Sequence, residues 1–145
     1  KVNPRLSITK GFFLSKLLFK SFLLALGIYN LLIAFAQFVF TDLFIPSIGL
    51  SHLMGPPFFP RVSAIFEFIV GIGFFISFSD PRRYRAFTWL IALSKILVGC
   101  LFIGQYLIRT GPSPLLTIGF IEIFMGIAVF ILDLVSAASE HRNHT

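Results

Sequence analysis

Cysteine occurs once in the chain, as Cys100, which excludes a disulfide framework, a CxxC redox pair and a thiolate metal cluster. A lone cysteine in an apolar run reads as packing. Histidine is nearly as scarce, with His52 between two apolar runs and His141 and His144 in the polar tail "ASEHRNHT". None lies within an apolar run, so haem ligation has no candidate pair, and no metal site is read in the tail. HExxH, the phosphate loop, GxGxxG and a Ser-His-Asp spacing set are all missing. The "GIG" at Gly71 to Gly73 lies in an apolar run and reads as close helix packing. No catalytic residue is assigned, and no catalytic activity of the chain's own is expected.

Charge is also sparse. Only 12% of the 145 residues are charged, against 57% hydrophobic, and 20 are phenylalanine, so a soluble domain would lack the polar surface to cover itself. Apolar stretches run over about 17–40, 62–78, 87–107 and 115–134. Each approaches the roughly 20 residues a helix needs to cross a hydrocarbon layer of about 30 Å. The expected fold is all-α, an integral membrane four-helix bundle. A secretory-signal reading of the N-terminal region, suggested by "IAFAQ", is disfavoured by the length of the run and by Asn30 midway along it, and the run is read as a retained first span.

Basic residues are divided unevenly about these spans. Lys1, Arg5, Lys10, Lys16, Lys20, Arg82, Arg83, Arg85 and Arg142 fall on one side, and Arg61 and Arg109 on the other. The asymmetry predicts cytoplasmic N and C termini in a bacterial-type inner membrane. It also accounts for the net charge of +6 through anionic headgroups, so no nucleic-acid partner is implied. Residues 1–16 are expected to form a basic interfacial or frayed segment, 17–136 the four-span domain and 137–145 a cytoplasmic tail. Between spans one and two, "TDLFIPSIGLSHLMGPPFFP" is rich in Pro, Gly and bulky apolar side chains. Phe44, Met54, Phe58 and Phe59 make it a candidate docking loop for a partner or lipid.

The sequence repeats itself weakly. "FEFIVGIGFF" from Phe66 resembles "IEIFMGIAVF" from Ile121, Glu67 matching Glu122 at an offset of 55 and Gly55 matching Gly111 at 56. The unit is a helical hairpin used twice, and two spans per unit give both copies the same orientation, a parallel repeat. The odd spans add Gln37 and Gln105 as a weaker pair near their outer ends. A glutamate four residues before a glycine shares its helical face, where the absent side chain lets another helix come close. Gly27, Gly71, Gly99 and Gly126 are therefore candidate packing positions. A charge facing lipid costs several kcal/mol, so buried ones face the interior and pair. Lys95, about halfway along span three, is the candidate partner of both glutamates. One lysine for two glutamates leaves two readings open, a shared proton or an arginine reaching in from the outer surface. Asn30, Glu67, Lys95, Gln105 and Glu122 are the candidate intramembrane polar network, with Tyr29 beside them.

The stretch from Glu67 through "EFIVGIGFFISFSDPRRYRAFTWLIAL" resembles the DoxX-like group of small four-helix membrane proteins, over about half the chain. The resemblance rests on Glu67, Gly71, Arg83 or Arg85, and Ala86. It implies a four-helix bundle associated with redox or quinone-linked membrane systems, and it transfers no catalytic residue. Two functions are weighed. The first is a non-catalytic subunit packing in a larger membrane complex or a homo-oligomer and holding a quinone, carotenoid or lipid. The alternative is a proton-coupled carrier, acting as a dimer through Glu67 and Glu122.

Overall fold

The computed structural model describes residues 4–47, 58–109 and 113–141, with side chains over 14–46, 60–108 and 113–139. Among these residues there are five helices and no strands: α1 (Pro4–Val39), α2 (Thr41–Ser47), α3 (Phe58–Ser79), α4 (Arg85–Arg109) and α5 (Ser113–His141). Four are long and apolar enough to cross a membrane, with spans Leu14–Val39, Pro60–Ser79, Arg85–Ile108 and Ser113–Ser139. The chain is an integral membrane four-helix bundle.

Each helix ends where the local chemistry requires it. α1 is a single helix of 36 residues, about 54 Å long, so the basic N-terminal residues continue into the first span instead of turning off as a separate element. After the bend at Phe40, Thr41 Oγ1 donates to the Gln37 carbonyl at 2.5 Å, satisfying an acceptor that the broken ladder leaves free. The short α2 that follows seats Ile45 and Phe44 against Leu115, Phe102, Tyr106 and Ile118, closing that end of the α4–α5 pair. Phe44 is thus part of an internal contact. Met54 lies outside the described residues, as do the side chains of Phe58 and Phe59. Between α3 and α4, Asp80 Oδ1 accepts the Arg83 N–H at 3.2 Å and the Asp80 carbonyl accepts the Tyr84 N–H, forming a tight turn through Pro81.

The helices pack in two intimate pairs, α1 with α3 and α4 with α5, joined by lighter contacts of α1 with α5 and α3 with α4. Glycine produces the intimacy. A Cβ built on Gly71 would stand 3.3 Å from the Gly27 carbonyl, and one on Gly99 would stand 2.5 Å from the Gly119 carbonyl. A Cβ on Gly126 would stand 2.6 Å from the Ala92 carbonyl. In lipid, where there is little hydrophobic force between helices, such backbone approach supplies the dispersion contact that holds them.

The two pairs repeat one another. Even spans superpose in sequence at an offset of 55 and odd spans at 65. At those offsets Gly27, Ala34, Ala64 and Gly71 of the first hairpin correspond to Ala92, Gly99, Gly119 and Gly126 of the second. All eight are buried. Side-chain contacts correspond as well: Leu31 covers Gly71 as Ile96 covers Gly126. Lys20 meets Phe78 as its counterpart Arg85 meets Asp133. The core residues Leu26 and Phe74 likewise match Ile91 and Val129. A pseudo-two-fold axis along the bundle relates the hairpins. Gln37 and Gln105 do not correspond under it, since Gln37 aligns with Phe102.

Candidate functional site

A lysine placed in a hydrocarbon layer needs counter-charges, and the bundle supplies two. Lys95 Nζ on α4 lies 3.0 Å from Glu67 Oε2 on α3 and 2.9 Å from Glu122 Oε2 on α5. The ammonium side chain is 3% exposed. Its contact with Glu67 is an aligned hydrogen bond. The contact with Glu122 is an ion pair at poorer angles, leaving Oε2 without an aligned donor. Gly71 and Gly126, one turn along from each glutamate, are where α1 closes on α3 and α4 on α5.

The opposite wall of the site belongs to α1. Asn30 is fully buried; its Nδ2 donates back to the Leu26 carbonyl at 2.7 Å, while its Oδ1 has no hydrogen-bond partner. Asn30 is the counterpart of Lys95 under the pseudo-two-fold axis, at the offset of 65. Tyr29 lies within electrostatic reach of Glu122, Lys95 and Glu67, which places this turn of α1 at the depth of the charges. Lys95, Glu67 and Glu122 are thus joined directly, and Asn30 shares their repeat position without a bond to them. It is neutral. Gln105 is exposed and stands apart from these charges. Its failure to join follows from its register, which sets it on the outward face of α4. Arg61 is also exposed and has no place among these charges.

A second polar contact, absent from the sequence expectations, lies toward the end of the bundle that carries Ser15 and Ser139. Asp133 is buried on α5 and accepts from Arg85 Nε at 2.8 Å and from Trp89 Nε1 at 2.9 Å. Arg85 also lies over the Trp89 ring, 5.0 Å from its centroid. The signal available in the sequence was one aspartate near the end of an otherwise apolar run. Its partners stand four apart on another helix, a spacing that ordinarily serves a single helical face. Nearby, Ser15 and Ser139 share a hydrogen bond of 2.8 Å that ties α1 to α5.

Two recesses accompany these contacts. One is an apolar groove of about 470 Å³ between α1 and α3, floored by Ala34 and Ala64 and walled by Phe35, Phe38 and Phe68. The other, about 670 Å³, opens at the basic end between α1, the α3–α4 turn and α5. Among the described residues no group of three His, Cys, Asp or Glu side chains is placed to hold a metal ion. Cys100 is exposed on the outward face of α4. Compared with known proteins, the chain matches no family model, no curated sequence and no solved structure.

Proposed function

We propose that the chain is a non-catalytic membrane subunit that packs within a larger membrane assembly and holds an elongated apolar molecule, the tail of a quinone, a carotenoid or a lipid chain, against α1 and α3. The groove carries this reading. In the second hairpin the corresponding small residues, Gly99 and Gly119, are filled over by Ile123 and Ile103. In the first, the same floor made by Ala34 and Ala64 is open between phenylalanines. Flat aromatic walls around a small-residue floor suit a chain or polyene lying along the helix, because apolar pockets of this size take most of their contact from shape. The resemblance to the DoxX-like group agrees with a quinone-linked setting. The positive-inside asymmetry supports a bacterial-type inner membrane with both termini cytoplasmic.

Native mass spectrometry of the protein, gently extracted from its source membrane, tests the proposal. A defined lipophile retained by the wild type and lost on Ala64→Phe, within a stoichiometric larger assembly, is the expected result. A bare monomer with no retained lipophile would overturn it.

The proton-coupled carrier is the second reading, supported by two carboxylates sharing one ammonium. A single Lys at a site with two acids leaves a formal negative charge that a transported proton would neutralise. This reading requires that the Glu67→Gln and Glu122→Gln double variant lose all pH-dependent uptake in reconstituted vesicles.

A further inference from the structure

The 670 Å³ recess at the basic end has a charge pattern that the functional reading does not use. Its walls carry Lys16 and Lys20 from α1, Asp80 and Arg82 from the turn, Arg85 from α4 and Asp133 from α5. Four cations face two carboxylates. Both carboxylates have protein donors, Asp80 the Arg83 N–H and Asp133 the side chains of Arg85 and Trp89. Lys20 is held at the rim by the Phe78 ring, 5.2 Å from the centroid, with a long contact of 3.5 Å to the Ser79 carbonyl. The lysines are thus positioned around an opening whose acids already have donors, Asp133 through Arg85 of the same wall.

Depth identifies the occupant. Ser79 closes one span and Arg85 opens the next, and Lys20 and Asp133 stand at the same level through the Lys20–Ser79 and Arg85–Asp133 contacts. The recess therefore sits at the level of lipid phosphates, and Leu17 and Leu134 face outward beside it where acyl chains would run. We infer that this recess binds the headgroup of an anionic glycerophospholipid, its phosphate diester meeting Lys16, Lys20 and Arg85. A zwitterionic headgroup carries a cation of its own and would meet an uncompensated excess of positive charge, so the site selects for net negative lipid.

The experiment uses the full chain in detergent, with phosphatidylglycerol or phosphatidylcholine added and retention read by native mass spectrometry. The wild type is expected to retain phosphatidylglycerol selectively, and Lys16→Ala with Lys20→Ala to weaken that retention roughly thirtyfold, from the attraction typical of two basic side chains at a membrane surface. Arg61→Ala, an exposed basic residue toward the opposite end, is expected to leave retention unchanged. Both lysines are partly or fully exposed, so the double variant keeps its fold, which helical circular dichroism checks. Lys16→Gln with Lys20→Gln serves as a second variant with longer side chains. Equal retention of the two lipids, or undiminished retention by the lysine variants, overturns the inference. Displacement of phosphatidylglycerol by millimolar inorganic phosphate would also overturn it, by assigning the recess to a soluble anion.

Discussion

Lys95 Nζ bridges Glu67 and Glu122 at 3.0 and 2.9 Å, so a single ammonium joins a carboxylate of each hairpin at the centre of the bundle. Two consequences follow for stability. The charge makes the hairpins dependent on one another, and each member of the group is costly to remove singly.

Lys95→Met leaves two acids in a low-dielectric interior without a cation. Breaking a buried ion pair from one side costs about 3–5 kcal/mol. The expected outcome is a large fall in thermal stability in detergent, most of it recovered in the triple variant that adds Glu67→Gln and Glu122→Gln. If Lys95→Met melts as the wild type does, the triad contributes no stability.

Gly99 and Gly104 lie on the same helix and differ sharply in surroundings. A Cβ at 99 meets the Gly119 carbonyl at 2.5 Å, a backbone atom that cannot rotate away, whereas at 104 nothing stands within 4 Å. Gly99→Ala is expected to force α4 from α5 and to destabilise by about 1–3 kcal/mol, as overpacking does. Gly104→Ala is expected to be neutral or slightly stabilising, by up to about 1 kcal/mol from helix propensity. Thermal melts of the two variants side by side check the contrast.

Trp89 is the only tryptophan, so its fluorescence reports the Asp133 contact without interference. Asp133→Ala strips the acceptor from both Trp89 Nε1 and Arg85 Nε, and losing these two part-buried hydrogen bonds costs about 1–3 kcal/mol in all. A shifted emission maximum with lowered stability is expected. Arg85→Ala should cost less, since its side chain is 42% exposed and solvent screens the pair. Equal losses from the two variants would contradict the assignment of Asp133 as the hub.

Much of this architecture is legible in the sequence because a bilayer is a strict solvent. Spans follow from apolar length, and Glu67, Lys95 and Glu122 announce themselves as charges that lipid will not accept. The odd-span register is less visible. The α1–α3 connection is longer than the α4–α5 connection, so the odd spans match at 65 while the even ones match at 55, and no single offset aligns a whole hairpin. Matching by residue type pairs Gln37 with Gln105, which the structure places on unlike faces. α2 is hidden because Pro and Gly nearby read as loop, and the Arg85–Asp133 contact is hidden because no local spacing connects residues on different helices.

The pseudo-two-fold register makes one claim that a chance likeness between oily helices would not. Asn30 occupies the place of Lys95 in the repeat, on a helix that packs against both α3 and α5, and a lysine there is expected to reach Glu67 and Glu122 from the other side. The decisive measurement is the thermal stability, in detergent, of Lys95→Asn alone and of the exchange Asn30→Lys with Lys95→Asn. The exchange is expected to recover most of the stability lost by Lys95→Asn, while Leu26→Lys with Lys95→Asn recovers none. An exchange variant no more stable than Lys95→Asn would contradict it.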